Sequence, residues 1–499
     1  MCDLPNLEAL AETDATSSQA DGTDAEERKS QRDKLVELAN VATFWHDPDG
    51  EPFGTIEVNG HAENWSVKSR DFRTWLQRRY YENYHGAPSS QALQDAIGSI
   101  EARARFGGEE HQVYLRVAEL DGAIYLDLAD GRWRVVRITP DGWDVIDPSP
   151  VKFRRTRGMR PISEPQRGGS VNDLRRFLNV ASNGDFRLIV GWLLAALRPS
   201  GPYPIMVFNG EQGTGKSTQA RVLRMLVDPN AAAIRTPPRE ERDLLIAARN
   251  GWVVCLDNLS GVSPWLSDGL CRLATGGGFS ARQLYTDMDE VLFEVSRPAI
   301  LNCIPDLATR PDLSDRSIML TLPMIGDDQR LREAEFWRDF EATRATIMGA
   351  LLDVVSAALR RLPDVNLDRA PRMADFAYWI TAAEPALGWP PGSFLEAYEA
   401  NRETAVEATI EGDAVAQAVC DLMEDRAIWR GTASQLMTPL EAGVSEFVLR
   451  SNNWPKSPNS LSGRLRRAAP SLRAVGIEVE LGIREGRQRT RLIEIRKTA

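Results

Sequence analysis

Apolar residues recur along this chain with changing period, and each change marks a new part. In QRDKLVELANVATFW, Leu35, Leu38 and Val41 lie at helical spacing, which predicts a helix starting near Ser30. From about Thr55 the pattern shortens to a strand, TIEVNG, then two helices, RDFRTWLQRRYYENY and SSQALQDAIGSIEARARF, and then strands in HQVYLRVAEL, AIYLDLAD and WRVVRITPDGWDVI. Turns at Asp121-Gly122, Asp130-Gly131 and Asp141-Gly142 separate those strands and predict an antiparallel meander on the two helices. The stretch RRTRGMRPISEPQRGGS, basic and rich in Gly and Pro, reads as a linker. From Val171 strand and helix alternate, the pattern of a parallel α/β sheet. The chain turns mostly helical from Pro363 to Pro391, and a small basic domain begins after Gly412. The expected organisation is an acidic, solvated tail over residues 1–30, an α+β module over 31–164, an α/β domain with a helical C-terminal part over 165–401, and a basic domain over 412–499.

With 499 residues and 42% hydrophobic positions, several cores are expected and wholesale disorder is excluded. Cys2, Cys255, Cys271, Cys303 and Cys420 are scattered without a C-x-x-C pair, against both a disulfide framework and a zinc site, and they fit a reducing cytoplasm. The longest apolar run, FRLIVGWLLAAL from Phe186 to Leu197, falls short of the roughly 20 residues a bilayer requires, so no membrane span is expected. The N-terminus lacks the basic and apolar regions of a secretory signal.

A net charge of -11 argues against a nucleic-acid partner until it is divided along the chain. Residues 1–40 carry ten acids against four bases, whereas residues 451–499 carry eleven bases against four acids. The positive charge is gathered at one end, which is the footprint of a nucleic-acid contact there.

The segment PYPIMVFNGEQGTGKSTQARVLRMLVDP carries the clearest chemistry. An apolar strand from Ile205 to Phe208 runs into Gly210-Glu-Gln-Gly213-Thr-Gly215-Lys216-Ser217, and an amphipathic helix follows with Ala220, Val222, Leu223 and Leu226 on its buried side. This is G-x-x-x-x-G-K-[ST] in a strand-turn-helix setting. The glycines let backbone N–H groups of the stretch Gly210, Gln212, Gly213, Thr214, Gly215, Lys216, Ser217 and Thr218 turn onto a polyphosphate, helped by the helix N-terminus. Lys216 reaches the β and γ phosphates and Ser217 ligates Mg²⁺, so ATP and Mg²⁺ are the expected ligands.

A second magnesium-holding acid is expected at the end of a neighbouring buried strand. GWVVCLDNL supplies it as Asp257, the Walker B candidate. The next position, Asn258, is an amide where many such ATPases place a carboxylate base, and an amide orients water without taking its proton. Either hydrolysis is slow or another acid, such as Asp268 or Glu290, enters the site. Further on, VSRPAILN reads as another buried strand ending in Asn302, which either senses the γ-phosphate and its attacking water, as such an Asn does in P-loop machines, or simply begins the following loop. The loop DLATRPDLSDRS then carries Arg310 and Arg316, and in a ring of ATPases such an arginine reaches the neighbour's γ-phosphate. Asp312 and Asp315 are alternative partners for these arginines, and Arg316 is preferred over Arg310.

The order and spacing of these elements resemble a compact AAA+ ATPase of superfamily III type. From about Val171 to Asn401 the chain is similar to the ATPase of bacterial, phage and plasmid primase-helicases, relatives of the poxvirus-type replicative ATPases. LSDGLCRLATGGGFSARQLYTD, RPAILN and ATRPDLSDRSIMLTLP carry that resemblance. It implies an oligomeric ring, a hexamer by analogy, and a hairpin before Asn302 that grips single-stranded DNA. The corresponding piece here, Phe279 to Glu294, offers Arg282 and Tyr285 for phosphate contact and base stacking. Its tip, Asp287-Met-Asp289-Glu290, is acidic where the family has a basic or aromatic one, and a hairpin packed on the sheet is an equal alternative. The near-paired acids Asp127 and Asp130 lack an accompanying His, so priming activity is not expected and the module before the ATPase reads as a collar or adaptor.

The basic end reads as a winged helix: three helices, the third beginning near Ser460, and two strands, GIEVELGIRE and RTRLIEIRK, meeting near Glu485-Gly486-Arg487. Leu461, Leu465 and Ala468 form a buried face, leaving Arg464, Arg466 and Arg467 for a DNA groove and Arg484, Arg487 and Arg489 on the wing for its backbone. A protein-binding winged helix with solvated arginines is the alternative. The function expected is an ATP-dependent motor, a replicative helicase of a mobile element or prophage acting on single-stranded or forked DNA. A slowly hydrolysing, nucleotide-controlled DNA-binding switch is the main rival, and an assembly factor with a relic phosphate loop a third.

Overall fold

A computed structural model of the chain describes residues 29–259, 261–282, 290–303, 311–451, 454–485 and 490–498. Most of the acidic tail expected over residues 1–30 lies outside these. The described residues form two compact units, 29–114 with 147–155, and 115–146 with those from 156 onward. The module expected over residues 31–164 is therefore shared between them.

In the first unit, α1 (Gln31–Leu38) starts on Ser30, whose hydroxyl accepts from the Asp33 N–H. The helical run expected through Trp45 stops early: a 3₁₀ turn covers Ala39–Val41, Val41 is exposed, and β1 (Thr43–His46) follows. Thr43, Phe44 and Trp45 are residue types that favour a pleated, half-buried strand over a helix. β2 (Pro52–Val58) and β3 (His61–Ser66) continue antiparallel, α2 (Arg70–Tyr84) and α3 (Ser90–Gly107) follow, and β4 (Glu109–Glu110) lies parallel to β1 in the order β3-β2-β1-β4. Leu35, Phe44, Ile56, Phe72, Leu93 and Ile97 share one core. These two helices thus cover their own sheet, and the expectation that they carry the meander is corrected. β5 (Val113–Tyr114) ends the first stretch of this unit.

The meander belongs to the second unit: β6 (Val117–Leu120), β7 (Ala123–Asp127), β8 (Val135–Thr139) and β9 (Gly142–Ile146) pair antiparallel in sequence order. β10 (Lys152–Phe153), back in the first unit, pairs parallel with β5. Residues 156–170, expected as a linker, are laid onto the second unit. Met159 bridges to Asn230, Ile162 is buried, and the Gln166 N–H donates to the Ala345 carbonyl at 2.9 Å. Their apolar side chains find a core that composition alone does not reveal.

The centre of this unit alternates helix and strand. α4 (Asn183–Ala196), the apolar run noted above, is buried on nearly every side. β11 (Ile205–Asn209), α5 (Lys216–Val227), α6 (Glu241–Asn250), β12 (Val254–Leu259), α7 (Pro264–Thr275), the antiparallel pair β13 (Gly277–Arg282) and β14 (Glu290–Val295), β15 (Ala299–Cys303), α8 (Pro311–Ser314) and β16 (Ser317–Thr321) follow. Four strands form a parallel sheet in the order β12-β15-β11-β16. Their unbroken apolar runs suit a sheet buried on both faces.

α9 (Glu333–Arg361), α10 (Ala374–Ala383) and α11 (Ser393–Gly412) form the helical part. The stretch Glu333–Asp364 is long and apolar enough by length and composition to cross a bilayer, which the expectation from Phe186–Leu197 missed. In the fold, its Ile347, Leu351, Leu352 and Val355 are buried in the core of the second unit. α9 is also what supports the meander: Trp143 Nε1 donates to Asp353 at 2.8 Å and Ser356 Oγ to the Thr139 carbonyl at 2.7 Å. α11 closes the open edge of the sheet, where the Asn401 amide accepts from Met319 N at 3.0 Å and donates to Met319 O at 2.6 Å.

The C-terminal part comprises α12 (Ala414–Met423), β17 (Ile428–Gly431), α13 (Ala433–Ala442), α14 (Glu446–Arg450), α15 (Pro458–Ala474), β18 (Ile477–Glu485) and β19 (Thr490–Lys497). Its antiparallel sheet runs β17-β19-β18, one strand more than expected. Leu461, Leu465 and Ala468 are buried in its own core with Val419, Leu436 and Ile495.

One buried carboxylate ties the second unit together. Asp228, just after α5, faces Arg116 of the meander at 3.2 Å and Arg224 at 3.4 Å, and accepts from the N–H groups of Trp252 and Val253 at 3.0 and 3.1 Å. Both arginines and the aspartate are almost wholly buried. Asp228→Ala leaves two buried guanidinium groups and two amides without this acceptor, and is expected to cost about 3–5 kcal/mol in a urea titration. A loss below about 1 kcal/mol would contradict that role.

Candidate functional site

The turn between β11 and α5 is built from glycines because it must be. Gly210, Gly213 and Gly215 have φ of 143, 90 and 82°, a region side chains disfavour. A Cβ at Gly210 would also stand 3.0 Å from Thr214 Oγ1 and 3.1 Å from the Leu322 carbonyl. Within the loop, Thr214 is buried with its hydroxyl donating to the Glu211 carbonyl at 3.0 Å, while Gln212 is exposed. Lys216 opens the helix and curls back, its Nζ donating to the carbonyls of Gly210 and Glu211, each at 2.7 Å. The first turn of α5 contains no acid, so its N–H groups and the lysine favour an anion at the loop.

Parallel pairing brings the other residues to the same edge. Phe208 of β11 registers with Asn302 of β15, and Leu256 of β12 with Leu301, so all three strands end together. The Ser217 hydroxyl donates to Asp257 at 3.0 Å from Oδ2, and Asn302 Nδ2 donates to Asp257 Oδ1 at 2.9 Å. Asn302 is buried and its Oδ1 has no hydrogen-bond partner among the described residues. This leaves a buried acceptor beside the carboxylate with hydrogen-bonding capacity to spare. The donor set is all oxygen, Ser217 Oγ with the Asp257 carboxylate, and such ligands suit Mg²⁺ when waters and phosphates complete its octahedron. Cys255 and Cys303, on the neighbouring strand segments, are pushed up to about 12 by burial and are not nucleophiles.

Asn258 has φ of 58° where the pairing of β12 with β15 shifts register. Asn is among the few residues that adopt this left-handed conformation readily. An amide at this position therefore has a backbone reason besides any catalytic one.

The remaining expected residues are spread more widely. Thr218 sits half-buried in the first turn of α5. Arg316 is half-buried and donates from Nη1 to the Asp312 carbonyl at 2.8 Å. Asp315 is paired instead with Arg372 and, at 2.8 Å, with Arg402 of α11. Arg310 lies outside the described residues, as do Arg487, Arg489, Tyr285 and the acidic hairpin tip up to Asp289, while Glu290 begins β14 opposite Arg282. The backbones of Arg282 and Arg484 occupy the strands β13 and β18. Arg466 and Arg467 are exposed on α15 and Arg464 is half-buried.

Sequence reading missed one clamp. Asn179, in the stretch before α4, donates from Nδ2 to the Thr214 carbonyl at 2.9 Å and to the Pro323 carbonyl at 2.7 Å, while its N–H donates to Gln219 Oε1 at 2.9 Å. It joins the loop, the start of α5 and the segment after β16, and no motif announces it.

Residues 171–405 match the family model described as the actinomycete integrative conjugative element replication protein, and residues 415–499 match the model of that protein's C-terminal domain. Among solved structures, the chain is similar to SCCmec type IV Cch, described as an active helicase, at 13% identity over 91% of this chain and 92% of that one, with a TM-score of 0.46. It is also similar to the C-terminal region of NrS-1, at 12% identity over 93% of this chain and 98% of that one, with a TM-score of 0.40. No curated protein matches the chain.

The backbone reason for Asn258 is testable by stability alone. Asn258→Gly is expected to stay within about 0.5 kcal/mol of the parent in urea, whereas Asn258→Val is expected to cost about 1–2 kcal/mol. Equal stability of the two variants would remove the conformational explanation.

Proposed function

We propose, from the match of residues 171–405 and 415–499 to the models of the actinomycete integrative conjugative element replication protein and its C-terminal domain, that this chain is an ATP-driven motor acting on DNA, a replicative helicase of superfamily III type. The observation that carries this reading is the convergence of Ser217 and Asn302 on the Asp257 carboxylate beside the glycine loop. A strand order that sets β15 between β11 and β12 supports an AAA+ assignment, since it interposes the sensing Asn between the loop and the acid.

In this reading the backbone N–H groups of the loop and the N-terminus of α5 receive the ATP polyphosphate. Lys216 exchanges its two carbonyl acceptors for β and γ phosphate oxygens. Ser217 and Asp257 hold Mg²⁺, which supplies charge neutralisation on the phosphates. The open Oδ1 of Asn302 accepts from the attacking water and orients it, and Arg316 or Arg310 reaches across to a neighbouring subunit's nucleotide in a ring. The C-terminal part acts as a winged helix, with α15 offering Arg464, Arg466 and Arg467 to a DNA groove and Arg484, Arg487 and Arg489 on the wing. The exposure of Arg466 and Arg467 opposite a buried Leu461-Leu465 face supports that contact.

One observation favours a second reading, a nucleotide-controlled DNA-binding switch that turns over slowly. The position after Asp257 carries an amide and no carboxylate, in a conformation a glutamate would resist.

The test is ATP turnover by the full chain, alone and with single-stranded or forked DNA. The motor predicts stimulation by DNA, strand separation, and a loss of about 10²–10³-fold in turnover for Lys216→Ala. Turnover that DNA does not change, with no unwinding, would overturn the motor, and DNA affinity that follows the bound nucleotide would then support the switch.

A further inference from the structure

The segment that follows β16 lies along the whole length of the glycine loop. The Leu322 N–H donates to the Asn209 carbonyl at 2.9 Å, and Pro323 O accepts from Asn179. Ile325 Cδ1 would stand 3.3 Å from a Cβ at Gly215, and Arg330 Nη2 3.9 Å from one at Gly213. Glu333 lies 3.8 Å from Arg221, one turn into α5. The segment therefore follows the loop from its strand to its helix, and at the loop's crest the group it presents is a guanidinium.

Arg330 is not committed to structure. Its ion pair is with Asp327, at 3.5 Å, and the two side chains are 55 and 94% exposed. Such a pair contributes little in water and exchanges readily for a stronger anion. The loop's N–H groups and Lys216 attract a polyphosphate, and a planar guanidinium beside them can add two charge-assisted hydrogen bonds to phosphate oxygens. Gly213 has no side chain to stand between the two.

We propose that Arg330 contacts the phosphates of the nucleotide bound by its own chain, so that the site draws one arginine in cis besides any supplied by a neighbour. This rests on the reading of the loop as a nucleotide site. Binding would exchange the Arg330 pair with Asp327 for the phosphate oxygens.

The test is the affinity of the full chain for Mg-ATP, measured by titration calorimetry for the parent, Arg330→Ala, Arg330→Lys and Lys216→Ala. Arg330→Ala is expected to weaken binding about tenfold or more. Arg330→Lys keeps the charge but loses the planar fork, and is expected to bind between the parent and Arg330→Ala. Parental affinity in Arg330→Ala, alongside lost binding in Lys216→Ala, would overturn the role of Arg330 while leaving the nucleotide site intact. A parent that binds no Mg-ATP would instead overturn the nucleotide site itself.

Discussion

The Asp257 carboxylate accepts from Ser217 on one side and Asn302 on the other, and this shared acceptor is the constraint on which the site depends. Three residues 40 to 85 positions apart meet there because β11, β15 and β12 are parallel neighbours that end at one edge. Parallel strands need a crossover between each pair, so the helices α5, α6 and α7 are not decoration but the means of returning the chain to the same edge. Any shift of register by one residue would turn Asp257 or Asn302 to the opposite face.

The sheet in turn rests on polar anchors buried behind it. Asp228 fastens the end of α5 to the start of β12 through Trp252 and Val253, and to the meander through Arg116. On the opposite edge, Asn401 occupies the open hydrogen-bonding groups of Met319, and Arg402 holds Asp315 beside Arg316. α11 leads directly into the C-terminal part through Asp413, which caps α12 by accepting from Val415 and Ala416 N–H. The helix that fixes the Arg316 turn is thus continuous with the part carrying the exposed arginines.

How much of this was legible follows from the range of the interactions involved. The glycine loop was plain because positive φ at Gly210, Gly213 and Gly215 demands glycine locally, and apolar runs ending at Asp257 and Asn302 announced buried strands. The amphipathic faces of α5 and α15 were equally local: Ala220, Leu223, Leu461 and Leu465 are buried where spacing put them. Features set by distant contacts were not legible. The helix from Gln31 gave way to β1 because Phe44 pairs with Gly54 of β2. The meander sits on α9, some 210 residues away, through Trp143 and Asp353. β17 escaped notice because four residues pairing with β19 leave almost no periodicity. Asn179 and Arg330 reach the loop from 35 residues before it and over 100 after it, with no motif to mark either.

The central claim is that Ser217, Asp257 and the glycine loop hold one magnesium nucleotide, and the most direct measurement is ATP affinity with and without Mg²⁺ in the parent and in Asp257→Ala. The account predicts that Mg²⁺ tightens binding by the parent and that Asp257→Ala loses most of this magnesium-dependent gain. It also predicts that affinity without the metal is unchanged or improved in the variant, since a negative charge beside the phosphates has gone. A full magnesium effect surviving in Asp257→Ala would contradict the account.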